Sequence, residues 1–288
     1  MNNLIKKEKI RNMNSTGKNI WNVIWYLVAF IMIQFVVTYA VICVWLMSRG
    51  FTFEATLKYI ASGNIANEST MMIIISAVSS VLAIALFAWR RYAPISRNYL
   101  ASHPWTVLIW VVLLALGTII PSEWIDEKVG LALPDAMTKM FAGIMSDRWG
   151  YLAIGILAPL AEEIVFRGAI LRTLLKIFDK RLHWLPIIIS ALLFGLVHGN
   201  LAQFSHAFVI GLLLGWMYYR TDSIVPGIVL HWVNNTVAFV VYNLMPAAEG
   251  AKLIDVFGGN ERAVWLSLGF SLCILLPALF QLSFRLKK

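Results

Sequence analysis

The sequence predicts an all-α polytopic membrane protein with about eight transmembrane helices. Of the 288 residues, 60% are hydrophobic and only 14% are charged, and the mean hydropathy is +0.75. A soluble domain has roughly 45–50% apolar and about 25% charged residues. The chain is therefore too apolar for a soluble fold, and its long apolar stretches are those of membrane spans.

Eight stretches meet the need of a spanning helix for about 20 mostly apolar residues. They cover 20–47, 71–89, 105–120, 149–176, 184–199, 204–219, 224–243 and 263–284. The segment 121–148 carries acidic residues and two prolines, and it is predicted as an extracytoplasmic loop with a short helix near 136–145. The predicted units are a cytoplasmic basic tail (1–19), N-terminal transmembrane helices with their extracytoplasmic loop (20–148), a core (149–243), and a last loop and helix (244–288).

Basic residues set the predicted orientation, because cytoplasmic loops are enriched in Lys and Arg. Eight spans place 16 of the 24 Lys and Arg residues on the side that holds both termini, and seven on the other side. Both termini are therefore expected in the cytoplasm. The net charge of +9 is spread over the ends of apolar stretches, so nucleic acid is not an expected partner. Short loops favour a bacterial inner (plasma) membrane, and the oligomeric state stays open.

The fourth span carries three ionisable residues within six positions: Glu162, Glu163 and Arg167. A charge at the bilayer centre costs about 2.5–3.5 kcal/mol on insertion scales, so these residues are expected to face protein or a wet cavity. Glu163 and Arg167 have the i, i+4 spacing of a same-face ion pair. Glu162 points about 100° away on an α-helix and lacks that partner, which suits it to general-base chemistry. A buried ion-pair network that only fixes helix packing is the alternative.

Two later spans each carry a histidine. Phe194 and His198 lie four residues apart at the end of the fifth span, and His231 and Asn235 lie four apart in the seventh. His231 and Asn235 can therefore point into one cavity, whereas Asn234 should point elsewhere. Taken alone, His198 fits an interfacial residue as well as it fits a site residue. Taken alone, His231 and Asn235 fit interhelical hydrogen bonding as well as they fit a site.

Hydrolysis is the most economical chemistry for these groups together. Glu162 and His198 would hold and deprotonate a water, and His231 and Asn235 would donate hydrogen bonds to an oxyanion. The rise per residue of an ideal α-helix places His231 about 12 Å, and Glu162 and His198 about 20 Å or more, from the cytoplasmic helix ends. Helix boundaries that differ by one turn, helix tilt, or kinks near Pro159 and Pro226 would close this mismatch. Other intramembrane protease classes are not indicated, because the sequence has no HExxH or GxSxG motif and its predicted spans contain no aspartate.

The three motifs occur in a fixed order: EExxxR from Glu162, FxxxH from Phe194 and HxxxN from His231. This ordered set, within about 149–243, resembles the CAAX protease and bacteriocin-processing (CPBP) family of intramembrane glutamic proteases, which includes the type 2 CAAX prenyl endopeptidase. The resemblance implies an intramembrane endopeptidase that acts on a peptide or membrane-anchored protein in the lipid bilayer. It assigns water activation to Glu162 and His198, the oxyanion site to His231 and Asn235, and support to Glu163 and Arg167.

Two questions stay open. The family is often labelled metalloprotease, and Glu162, His198 and His231 are possible zinc ligands. A metal-free mechanism is expected, because Asn235 is a poor zinc ligand and a good oxyanion donor. The second question is the function itself, since a non-catalytic membrane scaffold, a bacteriocin immunity protein and a proton-coupled transporter are alternatives. The transporter is disfavoured by the lack of an evident internal repeat.

Overall fold

The computed structural model describes residues 2–62, 68–94, 96–130, 133–245 and 252–286. Within these ranges the chain is helical and has no β-strand, which confirms the predicted all-α class. Part of the predicted last loop (246–251) lies outside the described residues, as do Lys287 and Lys288 of the basic end.

We number twelve helices in chain order within the described ranges. The first six are α1 (Asn2–Ser48), α2 (Phe53–Ala61), α3 (Ser69–Trp89), α4 (Arg97–Ala101), α5 (Trp105–Val129) and α6 (Asp135–Met145). The next six are α7 (148–174), α8 (Trp184–Leu196), α9 (Leu201–Thr221), α10 (Val225–Leu244), α11 (Leu253–Val256) and α12 (Glu261–Arg285). A short 3₁₀ turn, Lys180–Leu182, precedes α8.

Among the described residues, six helices are long and apolar enough to cross a membrane, by length and composition: α1 from Ser15, α3, α5, α9, α10 and α12. Each coincides with a predicted span. The fourth predicted span is α7, which contains the charged residues, and the fifth is α8, an apolar helix of 13 residues. The chain is thus an all-α polytopic membrane protein, but the count of eight spans is not confirmed. The basic stretch predicted as a tail is continuous with the first span, because α1 already begins at Asn2.

The prediction of a loop from residue 121 is wrong. Helix α5 continues through Pro121 as far as Val129. Its acidic residues are tied to other helices, since Asp126 contacts His206 of α9 and Glu127 accepts a hydrogen bond from the backbone N–H of Leu253. Neighbouring helices commonly stabilise a membrane helix that contains a proline. The short helix expected near 136–145 is present as α6.

Helix α7 lies in the middle of the bundle, against α1, α3, α8, α9 and α10. Its buried Val165, Phe166, Ala169 and Ile170 form the centre of the main hydrophobic core. Phe166 packs edge-to-face on Phe30 of α1 and makes a similar contact with Phe194 of α8, which adds to the stability that burial alone provides. Glu163 and Arg167 of the fourth span are enclosed by protein.

Helix α7 alternates between two hydrogen-bonding patterns. Residues Tyr151–Leu157 and Glu163–Leu171 are π-helical, and Ala158–Glu162 between them is α-helical. In a π-helix the backbone N–H bonds to the carbonyl five residues earlier, a rare geometry that is frequent at functional sites. The two glutamates of the fourth span stand at the junction of the second π-helical segment.

Glycines allow the closest helix contacts. A Cβ atom built on Gly215 of α9 would lie 2.9 Å from Ile187 of α8, and one on Gly211 would lie 3.0 Å from Ala191. This close approach agrees with the GxxxG spacing of the two glycines. A Cβ on Gly117 of α5 would lie 2.8 Å from the backbone nitrogen of Leu275 in α12, and backbone cannot move aside as a flexible side chain can.

We expect Gly117→Ala to lower the free energy of unfolding by about 1–3 kcal/mol, because the added methyl group forces α5 and α12 apart. Gly269→Ala in α12 is the matched control, since a Cβ there meets no atom within 4 Å. Unfolding of both variants in mixed micelles measures the difference. Equal stability of the two variants would contradict the close α5–α12 crossing.

Candidate active site

Glu163 and Arg167 form the ion pair that their spacing predicts. Nη1 of Arg167 lies 2.8 Å from Oε1 of Glu163, and the two side chains are 1% and 0% exposed. Nη2 of Arg167 donates to the carbonyl of Gly211 at 3.4 Å, and the guanidinium lies 4.3 Å from the ring centroid of Phe194. The pair therefore contacts both α8 and α9, and its charges are compensated inside the protein.

Both glutamates flank one imidazole, that of His231 from α10. Nδ1 of His231 lies 3.4 Å from Oε1 of Glu163, and Nε2 lies 3.6 Å from Oε2 of Glu162. The Glu162 side chain is 20% exposed, so it is the carboxylate that solvent or substrate can reach. Helical spacing predicts the different directions of the two glutamates but gives no sign of the histidine that both of them approach.

His198 lies just beyond the C-terminal end of α8. Its Nδ1 is 2.8 Å from the carbonyl oxygen of Phe194, and because a carbonyl only accepts, Nδ1 carries the proton in this hydrogen bond. Nε2 of the neutral ring is then an unprotonated acceptor. Gly199 follows with φ +72°, a conformation that favours glycine and ends the helix at this point.

The ring of Phe194 joins the two histidines. Its centroid lies 5.2 Å from that of His198 and 5.8 Å from that of His231, and both contacts are edge-to-face. Among the described residues, no hydrogen bond or ion pair links Glu162 directly to His198. The structure thus brings Glu162 and His231 into contact and places His198 beside them across one phenyl ring.

Asn235 lies one helical turn after His231 and contacts the first π-helical segment of α7. Its Nδ2 donates to the carbonyl oxygen of Ile154 at 2.9 Å. That carbonyl is available because the N–H of Ala158 bonds to Ala153, five residues earlier, and the residue five after Ile154 is Pro159, which has no N–H. The local sequence of α7 therefore creates the acceptor that holds Asn235.

The predicted mismatch in depth is resolved by the arrangement of the helices. His231 lies in the second turn of α10, yet it contacts Glu162 near the middle of α7. Gly227, one turn earlier in α10, allows this approach, because a Cβ there would lie 2.5 Å from Oε2 of Glu163. Two further hydrogen bonds fix α7 to α10, since the hydroxyl of Tyr151 accepts from Trp232 at 3.0 Å and lies 3.1 Å from the Thr236 hydroxyl.

The possible zinc ligands are not arranged as a metal site. The described residues contain no group of three or more His, Cys, Asp or Glu side chains placed to hold a metal ion. Glu162 and His231 are adjacent, but His198 bonds to a backbone carbonyl across the Phe194 ring. These residues do not fit a three-ligand centre, and no step below uses a metal.

A second polar group, which sequence reasoning missed, adjoins Asn235. It consists of Asp126 of α5, His206 of α9 and Asn234 of α10, and Asn234 contacts Asn235. Asn234, which is predicted to point elsewhere than His231 and Asn235, faces His206 of α9. The signal in the sequence for this group is Asp126, an acidic residue that belongs to a membrane helix. The prediction of a loop at 121–148 concealed that signal.

Residues 144–237 match the family model described as type II CAAX prenyl endopeptidase Rce1-like. The matched segment contains all three motifs and helices α7 to α9 with most of α10. The match confirms the resemblance on which the motif reading rests and supports a membrane protease. It gives no support to the label metalloprotease.

Two curated bacterial proteins are also similar to the chain. An uncharacterized 24.3 kDa protein of Escherichia coli is 34% identical over 120 residues, which cover 38% of this chain and 54% of that protein. The protein described as "Putative membrane peptidase YdiL" of Bacillus subtilis (strain 168) is 28% identical over 211 residues, 58% of this chain and 84% of that one. The match thus spans about half the length of the first relative. No solved structure matches the chain.

We expect Arg167→Met to lower the free energy of unfolding by about 3–5 kcal/mol, because it leaves the Glu163 carboxylate buried without its partner. Glu163→Gln combined with Arg167→Met should recover much of this loss. Lys58→Met is the control, since it breaks an i, i+4 ion pair with Glu54 whose side chains are 77% and 79% exposed. Such a surface pair contributes about 0.3–0.5 kcal/mol. Unfolding in mixed micelles gives the comparison, and similar losses for Arg167→Met and Lys58→Met would contradict the argument.

Proposed function

We propose that this protein is an intramembrane endopeptidase that hydrolyses a peptide bond in or near the membrane with a water activated by Glu162 and His198. The observation that carries the proposal is the different setting of the two neighbouring glutamates. Glu163 is fully buried against Arg167, whereas Glu162 is partly exposed and faces an imidazole instead of a cation. One carboxylate is thus held as structure and the other is available for chemistry.

Glu162 acts as the general base in this mechanism. A general base must reach the proton it removes directly or through one water, and Glu162 is the carboxylate of the pair that can do so. His198 offers a second acceptor through Nε2, since its Nδ1 proton is engaged by the Phe194 carbonyl. A water held by these two groups loses a proton to Glu162 while its oxygen attacks the carbonyl carbon of the peptide bond.

Asn235 donates to the resulting oxyanion, and His231 completes the oxyanion site when one of its ring N–H groups turns from its glutamate to the substrate. One N–H of the Asn235 amide donates to Ile154, which fixes the plane of the amide and leaves its second N–H for the substrate. Preorganised donors of this kind stabilise the tetrahedral intermediate without reorganising during the reaction. The C–N bond then breaks, and the proton taken by Glu162 passes to the leaving amine.

The setting points to a peptide or membrane-anchored protein as substrate. The active residues lie on α7, just beyond α8 and on α10, among helices that are apolar on the outside, so a substrate reaches them from the bilayer or from its surface. We further propose a bacterial inner membrane with both termini in the cytoplasm, on the basis of the basic residues at the helix ends and the bacterial relatives.

Glu162→Gln should abolish proteolysis, because the amide keeps the size of the side chain but cannot accept the proton of water. The measurement is quantitative profiling of protein N-termini in membranes from cells that express the wild type or the variant at matched levels. Glu54→Gln, at a surface position, is the control. The proposal expects N-termini present with wild type and Glu54→Gln and missing with Glu162→Gln.

A repeat of the profiling with a chelator tests metal dependence. Loss of the wild-type N-termini on chelation would contradict the metal-free mechanism. Identical profiles for wild type and Glu162→Gln would contradict proteolysis and favour a scaffold or immunity role.

Asn235→Ala should lower kcat by about 10²–10³-fold, the usual effect of removing one oxyanion donor, with little change in KM. Asn243→Ala is the matched control on the same helix, where the amide only donates to the backbone carbonyls of Met145 and Phe239. The assay is cleavage in proteoliposomes of a substrate found by the profiling. Equal rates for the two variants would remove Asn235 from the oxyanion site.

A further inference from the structure

A chain of polar contacts leads from α5 through α9 to the Asn235 amide. Nδ1 of His206 lies 3.5 Å from Oδ2 of Asp126, and Nε2 of His206 lies 3.5 Å from Nδ2 of Asn234. The same Nδ2 lies 3.5 Å from Oδ1 of Asn235. Asn235 in turn donates to the carbonyl of Ile154 at 2.9 Å. None of the three added residues belongs to the EExxxR, FxxxH or HxxxN motif.

One arrangement of protons gives every contact a donor and an acceptor when the His206 ring is neutral. The Asp126 carboxylate can only accept, which favours a proton on Nδ1 of His206 and leaves Nε2 to accept from the Asn234 amide. The second N–H of Asn234 then donates to Oδ1 of Asn235. Each donor in this series of contacts faces an acceptor, from the carboxylate of Asp126 to the carbonyl of Ile154.

This arrangement decides which way the Asn235 amide faces. Its oxygen is turned to a donor, Asn234, and its nitrogen to an acceptor, Ile154. A reversed amide would place two acceptors together at Ile154 and two donors together at Asn234. Hydrogen bonds in such a chain also polarise one another, which strengthens Asn235 as a donor.

We propose that Asp126, His206 and Asn234 are positioning residues that hold the Asn235 amide with its N–H toward the reacting carbonyl of the substrate. The inference rests on the proposed protease function and extends it to residues outside the three motifs. Asn234 positions Asn235 from the same helix, whereas Asp126 acts from α5 and His206 from α9. Two of the supporting side chains are partly exposed, 30% for Asp126 and 34% for His206.

The charge of His206 controls this arrangement. If the ring is protonated, Nε2–H faces the N–H of Asn234, and two donors oppose each other. If Asn234 turns its oxygen to His206 instead, that side chain no longer donates to Asn235, and the amide of Asn235 is no longer held in one orientation.

Charged and titratable groups on the helices packed against α9 come from α5, α7 and α10. Glu123 of α5 lies close enough to Asp126, Glu127 and His206 to interact electrostatically with each of them. Arg167 of α7 reaches α9 at Gly211, where its charge is compensated by Glu163. On α10, His231 lies one turn before the two asparagines and contacts the glutamates of α7. Of these groups, Asp126 of α5 contacts His206 directly.

The test compares His206→Gln with His206→Ala, using a substrate from the profiling in proteoliposomes. Glutamine can accept from Asn234 through Oε1 at every pH, so His206→Gln should keep kcat within a few-fold of wild type near neutral pH.

His206→Ala should lower kcat about 10- to 100-fold with little change in KM, less than the loss of Asn235 itself, because the amide remains but is no longer held. In an Asn235→Ala background His206→Ala should have no further effect, as expected for residues that act through one another. His103→Asn is the control, since it replaces an exposed imidazole at φ +51°, a conformation that asparagine tolerates. The proposal is overturned if His206→Gln loses as much activity as His206→Ala. It is also overturned if His206→Ala lowers kcat by the same factor in the wild type and in the Asn235→Ala background.

A spectroscopic measurement separates this inference from the proposed function. NMR of protein labelled with ¹⁵N-histidine reports which ring nitrogen carries the proton, and the His206→Gln spectrum assigns the signal. We expect His206 to be protonated at Nδ1 near neutral pH. Absence of Glu162-dependent cleavage would refute the proposed function whatever this signal shows. A proton on Nε2 in a protein that cleaves its substrate would refute the positioning network alone.

Discussion

The buried ion pair between Glu163 and Arg167 is the interaction on which the rest of the site depends. Its two charges are removed from solvent and lipid, and removing either partner leaves the other uncompensated. Arg167 bonds to α9 at Gly211 and lies over Phe194 of α8, while Glu163 contacts His231 of α10. The four helices of the site are thus held at one point, where stability and geometry depend on the same two charges.

This constraint also explains how adjacent glutamates come to differ. Glu163 starts a π-helical segment and lies under α10, where Gly227 is required because a Cβ would lie 2.5 Å from Oε2 of Glu163. Glu162 ends the preceding α-helical segment and keeps one face toward His231. Surroundings, and not residue type, decide that one carboxylate compensates a charge and the other is left to react.

The sequence predicts local features of this site and misses those that depend on contacts between distant helices. The i, i+4 pairs, such as Glu163 with Arg167, follow from helical spacing alone, and so do the apolar stretches. The π-helical segments do not, because apolar stretches give no sign of an i, i+5 register. The extension of α5 past Pro121 was missed for a related reason: acidic residues suggested a solvated loop, whereas Asp126 is held by His206, 80 residues later.

Helix α10 joins the two polar groups of the bundle, and its register is therefore strongly constrained. His231 faces the glutamates of α7, Asn235 faces the carbonyl of Ile154 one turn later, and Asn234 faces α9. A rotation of α10 by one residue, about 100°, would break all three contacts at once. Since polar groups that lose their partners in an apolar setting cost several kcal/mol each, other registers are strongly disfavoured. The contacts proposed to orient the reaction are thus also those that select a single packing of the helix.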